Sequence, residues 1–241
     1  MVRRLMFGAV LWFAFVLTTP LSTPAAGQGQ APSRDAARFD DLVRADFFAG
    51  VAGDTAALDR AMRLIEDALA AKPDRAEVLV WHGSGLLVRA GQAYTSGDAA
   101  TSEALWQRGL KEMDDAVAKA PDDVAVLIPR GATLLEVSRP LADAAKAKAL
   151  LATGVADYEK VLALQAPYFG YLSEHARGEL LFGLAEGLHR LGQHERARAH
   201  FQRIVAEIPS SRYGSMAAAW LNDPTSKSAR RSGCVGCHST K

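Results

Sequence analysis

Apolar residues recur through most of this chain at the spacing of a helix that buries one face. In TAALDRAMRLIEDALAAKP, Ala61, Ile65 and Ala68 fall at i, i+4 and i+7. Similar helical patterns run through WQRGLKEMDDAVAKAP, ATGVADYEKVLALQAP and HERARAHFQRIVAEIP. Each segment ends in a proline: Pro73, Pro121, Pro167 or Pro209. Proline lacks the N–H that a helix needs, and its ring clashes with the preceding turn. Other amphipathic stretches lie between these four. The pattern predicts an all-α fold built as an array of helical hairpins.

Two stretches align without gaps, PDRAEVLVWHGSGLL (73–87) and PDDVAVLIPRGATLL (121–135), 48 residues apart. Pro, Asp, Val, Leu, Gly, Leu and Leu recur in the same places. Small Ala and Gly positions let paired helices approach closely, and large apolar neighbours fill the seam between hairpins.

These features resemble the tetratricopeptide repeat family. In residues 178–209, Leu181, Leu184, Ala185 and Leu188 sit where that repeat carries its first-helix signature, and Gly192 ends the helix. Ala197, Phe201 and Pro209 match the second half, as does the segment from Ala61 to Pro73. The resemblance covers roughly residues 38–222 and implies a superhelical array of about four hairpins. The prolines are 48, 46 and 42 residues apart, against about 34 in the usual repeat. The extra residues are expected in the turns 91–102 and 137–147.

Stacked hairpins of this kind generate a concave surface suited to a protein partner. The resemblance implies that Glu179, Phe182, Glu186, His189 and Arg190 face that groove. Phe182 would be its exposed apolar contact. The plainer reading makes these five an ordinary solvated helix face.

Frequent Ala, Leu, Arg and Glu agree with helix over sheet. A formal net charge of +1 gives no footprint for nucleic acid. No metalloprotease, nucleophile-elbow, Walker or dinucleotide fingerprint occurs. The sequence therefore favours a role other than an enzyme's. The acidic pairs Asp40–Asp41, Asp114–Asp115 and Asp122–Asp123 are adjacent, and adjacent residues do not face each other on a helix. The last pair follows Pro121, where turn or N-cap duty is expected. His82, His175, His189, His194 and His200 are scattered, and each reads first as a surface or packed residue.

The two chain ends carry the remaining chemistry. Arg3 and Arg4 precede the uncharged run LMFGAVLWFAFVL, and Ala25-Ala26-Gly27 resembles a cleavage site. That order is expected of a secretory signal peptide over 1–27. The apolar run falls short of the roughly 20 residues that span a bilayer. No membrane span is expected after cleavage, and 28–37 reads as a polar, disordered stub. Loss of Arg3 and Arg4 takes the formal charge from +1 to about −1, still near neutral.

Beyond Asn222 the composition turns polar and basic, and 223–233 reads as a flexible linker. The only two cysteines follow, in Cys234-Val235-Gly236-Cys237-His238. This is the C-x-x-C-H spacing of c-type haem attachment, and over these five residues the tail resembles the c-type cytochromes. Cys234 and Cys237 would each bond one vinyl group of one covalent haem, and His238 would ligate its iron. The predicted leader supplies the compartment where that attachment takes place. Competing readings are a plain disulfide, a dithiol redox pair, and a zinc site short of one ligand.

Residues 223–241 are too few to wrap a haem. A partner would cover it, it would stay exposed, or it would dock on the repeats, with His82, His189, His200, Met113 or Met216 as candidate sixth ligands. An open or intermolecularly filled sixth site is the remaining option. The sequence thus favours a periplasmic, haem-bearing electron-transfer or docking protein with a protein partner, a redox protein among the candidates. The alternatives are a non-catalytic repeat adaptor for envelope complexes and, third, peroxidase-like chemistry at an open iron.

Overall fold

A computed structural model describes residues 38–224. Nine α-helices follow one another, and no strand occurs among the described residues. They are α1 (Phe39–Val51), α2 (Thr55–Ala71), α3 (Ala76–Thr95), α4 (Ala99–Lys119), α5 (Val124–Val137), α6 (Ala144–Gln165), α7 (Glu174–Arg190), α8 (His194–Glu207) and α9 (Arg212–Asn222). A 3-10 turn, Ala166–Tyr171, joins α6 to α7. Successive helices pair as four antiparallel hairpins, α1/α2, α3/α4, α5/α6 and α7/α8. Each first helix also touches the next first helix, and α9 packs on α7 and α8 to close the series.

Punctuation residues set these boundaries. Asp54, Asp98, Asp123 and Asp143 accept backbone N–H bonds at the starts of α2, α4, α5 and α6. Ser173 and Ser211 do the same for α7 and α9. Each such cap is worth about 1 kcal/mol. The N-cap duty expected just after Pro121 therefore falls to Asp123. Its counterpart before α3 is Arg75, which makes no side-chain cap; neighbouring Asp74 instead accepts from Lys119 Nζ at 2.9 Å. Gly53, Gly97 and Gly192 turn three of the hairpins with φ of 111°, 86° and 79°, a region that L side chains avoid.

Paired helices meet at glycine. A Cβ added at Gly83 would lie 2.7 Å from the Gly109 carbonyl oxygen, and one at Gly154 would lie 2.9 Å from that of Gly131. The small positions anticipated in the 48-residue alignment are thus helix-crossing points.

Two expectations are corrected. Residues 91–95 extend α3 and 99–102 begin α4, leaving only Ser96–Asp98 between them. The long period there comes from longer helices, because Gln92 and Ala93 tolerate helix and only Gly97 needs the left-handed turn. Of the turn expected over 137–147, residues 138–143 link α5 to α6, while Val137 ends α5 and 144–147 begin α6. Pro167 does not redirect the chain as Pro73, Pro121 and Pro209 do. It sits in the first turn of the 3-10 segment, where its missing N–H needs no partner.

The core runs through two adjoining clusters. One gathers Val43, Met62, Ile65, Val80 and Met113 among others. The other gathers Tyr158, Leu181, Phe182, Phe201 and Trp220. Between them lies a buried ion pair. Arg130 on α5 grips Asp157 on α6 with Nε–Oδ2 and Nη2–Oδ1 distances of 2.7 Å each. Its remaining nitrogen, Nη1, reaches Asp114 on α4 at 2.9 Å. Burial, the larger influence, pushes the Asp157 carboxyl above its ordinary value, and Arg130 opposes that shift. Both carboxylate oxygens accept from one guanidinium, an arrangement that suits the ionised form.

Candidate functional site

Two places on the folded chain carry more than packing. The first is a groove of about 340 Å³ between the first helices of the hairpins. Phe48 of α1, Trp81 of α3, Ile128 and Pro129 of α5, and Glu179 and Leu180 of α7 all line it. Trp81 and Pro129 occupy equivalent places in the 48-residue alignment. Phe47 holds the Trp81 ring edge-on, 4.9 Å between centroids. Arg38, Asp40 and Arg44 stand at one rim, where Asp40 pairs with both arginines. At the α7 wall, His175 Nε2 lies 3.4 Å from Glu179 Oε2. The groove is thus apolar in its floor and mixed in charge at its edge, a form that suits a peptide or a protein loop.

Of the five residues assigned to a groove face, only Glu179 lines this one. Phe182 is corrected outright: it is 2% exposed. It packs edge-on against Phe201 at 5.2 Å and tilted against Tyr213 at 6.2 Å. The cause is α9, which covers a side of α7 that a terminal hairpin would leave open. Glu186 and Arg190 work in the seam between α5 and α7. Arg190 donates to the Leu135 carbonyl at 2.8 Å and the Ser138 hydroxyl at 2.7 Å, at the C-terminal end of α5. A cation there satisfies carbonyls that the helix leaves open. Glu186 accepts from Arg139 at 2.9 Å. Burial is the main influence on its carboxyl and raises it above the ordinary value, against Arg139 and Arg190.

The second place is the far end of α7. His189 and His194 bring their Nδ1 atoms to 3.1 Å across the α7–α8 turn. The Trp220 ring stands edge-on to His189, 5.0 Å between centroids, and stacks on Phe201 at 4.2 Å. Two residues beyond Trp220 the last described helix, α9, ends.

The other candidate iron ligands sit in less open settings. Met113 is 1% exposed and takes a hydrogen bond from the Ser84 hydroxyl. His82 is 5% exposed, and its Nδ1 is hydrogen-bonded to Glu112. Burial alone would raise the Glu112 carboxyl; His82 and then Arg108 outweigh it, and the carboxyl falls below its ordinary value. Met216 is partly buried against the C-terminal cluster. His200 is half-buried on α8.

Burial, with Arg203 and Arg196 adding to it against Glu159, lowers the His200 pKa. The unfolded chain therefore takes its proton first as pH falls. His200 contributes stability that is full above about pH 6.5 and is lost as pH falls below it. His200→Gln is expected to flatten the fall in Tm over that acidic window. A slope unchanged from the parent protein would count against it.

Cys234, Cys237 and His238 lie outside the described residues, as do the leader 1–27 and the stub 28–37. Among the described residues no group of three or more His, Cys, Asp or Glu could hold a metal ion. No described helix is long and apolar enough to cross a membrane. Comparison with protein-family models, curated proteins and solved structures finds no match to this chain.

Proposed function

We propose that this chain is an exported helical-repeat protein of the tetratricopeptide kind, carrying one c-type haem on its C-terminal segment. It serves periplasmic electron transfer, or presents the haem as a docking scaffold. One observation carries the reading: the only two cysteines of the chain stand as Cys234-x-x-Cys237-His238, C-terminal in sequence to the last described helix. The donor set fits the group. Cys234 and Cys237 would hold the group through thioether bonds to its two vinyl groups. The adjacent His238 imidazole would serve the iron. When bound, the haem supplies one-electron chemistry, and its potential follows burial and axial ligation.

The folded residues supply docking. The groove beside Trp81, Pro129 and Glu179 would hold a protein partner, and the tether would raise the haem's effective concentration there. The export-type leader supports a periplasmic setting.

That groove also favours a second reading, an adaptor whose tail cysteines are merely cross-linked or hold a metal. Truncation at Asp223 separates the two. The haem carrier is expected to keep partner binding and lose partner reduction. An adaptor would keep its binding and its cellular phenotype together.

A further inference from the structure

We infer that His189 and His194 form an open two-imidazole site for a divalent transition-metal ion, with Cu(II) the best matched of the class. The inference does not depend on the haem reading above.

The two Nδ1 atoms stand 3.1 Å apart across the α7–α8 turn. Two nitrogens bound to one ion at about 2.0–2.1 Å are separated by about 2.9 Å when they subtend a right angle, and by about 3.4 Å at the tetrahedral angle. The observed separation lies between these limits. The rings are also bent relative to each other. Their centroids are 4.8 Å apart, with 54° between the planes, closer than a head-on pair with that nitrogen separation would stand. An N–H···N hydrogen bond prefers the straight approach. Two lone pairs that share one ion need the bent one.

The fold holds this pair in advance of any ion. Gly192 turns the chain between α7 and α8 with φ of 79°, and its N–H donates to the His189 carbonyl at 3.0 Å. The Gln193 N–H donates back to the Leu188 carbonyl at 2.9 Å. Trp220 stands edge-on to His189 and is itself stacked on Phe201. Packing thus fixes one ring, while the other is exposed at the first position of α8. The cations next in sequence are turned elsewhere, Arg190 to the end of α5 and Arg196 to Glu159.

Ligand type selects the ion. Imidazole suits copper, nickel and zinc, and Cu(II) binds a given nitrogen site most tightly among the divalent ions. No larger group of His, Cys, Asp or Glu forms among the described residues, so water or a partner's side chain completes the coordination. A closed structural zinc site would need four protein ligands. Binding requires each ring to carry its proton on Nε2. The proton between the two Nδ1 atoms passes through water to Nε2 of the ring that held it, so none is gained or lost.

The test adds Cu(II) to the full exported chain and to its Cys234→Ala/Cys237→Ala form. Calorimetry reads the affinity, and electron paramagnetic resonance reads the nitrogen hyperfine structure. Both proteins are expected to bind one ion through two imidazole nitrogens. His194→Ala is expected to keep the parent's Tm without copper and to lose at least about tenfold in affinity, since removal even of a ligand's support costs that much. His189→Ala is expected to lose the same two-nitrogen pattern. Copper held as tightly by His194→Ala as by the parent overturns the inference. So does binding that disappears with the cysteines, a parent spectrum showing a single nitrogen, or a parent chain that binds no copper.

Discussion

Replacing Arg130 by methionine is expected to destabilise the fold by about 3–5 kcal/mol, the usual cost of stranding a buried partner charge. Asp157 is 4% exposed, and Arg130 satisfies both of its oxygens at 2.7 Å. Without the guanidinium, the carboxylate must stay charged in the interior or take up a proton there. The double variant Arg130→Met/Asp157→Leu removes both charges and keeps apolar volume. It is expected to recover most of the loss, because an apolar pair of similar size often equals a buried ion pair. Urea midpoints of the parent, the single variant and the double variant decide the matter. A single variant that loses no more than the 0–1 kcal/mol of an exposed pair would show that Asp157 rehydrates freely.

Phe182→Ala is expected to cost about 3–5 kcal/mol, as for other large-to-small changes at a buried ring. The ring is 2% exposed and touches Phe201 and Tyr213, so its removal opens a hole where α7, α8 and α9 meet. The change belongs to stability, and partner binding by the molecules that stay folded should match the parent. A variant that unfolds at the parent's urea midpoint while losing a partner would return Phe182 to a binding face.

These two residues show how far the chain could be read before folding. The hairpins were legible because each second helix repeats its apolar face every 3.6 residues, and three of the four prolines terminate it. The crossing glycines were legible for the same local reason, since Gly83 and Gly131 recur 48 residues apart. Phe182 was not. A facing rule carried over from a family assumes that the neighbours of the helix are known, and α9 supplied one more. The ion pair was equally hidden, because Arg130 and Asp157 stand 27 residues apart. Their contact depends on how α5 crosses α6, which no short pattern specifies. Pro129 inside α5 carries the same lesson. Proline in a helix interior costs about 3 kcal/mol, yet here it is buried and lines the groove. Tertiary contact outweighs the local preference. The groove's true wall went unrecognised for that reason, with Glu179 alone among the five expected residues. His189 and His194, five residues apart, share no helix face. The signal that could have joined them is Gly192, which turns the chain between them.

The central claim concerns the chain's only two cysteines, and the intact mass and visible spectrum of the exported, mature protein test it most directly. The protein should be made alongside c-type maturation machinery and measured in denaturant. The account expects a chain without its leader, heavier by one haem that denaturation does not release, with Soret and α bands. A colourless chain two hydrogens lighter than its reduced form would contradict it. Cys234 and Cys237 would then be a disulfide, and the groove alone would remain as the seat of function.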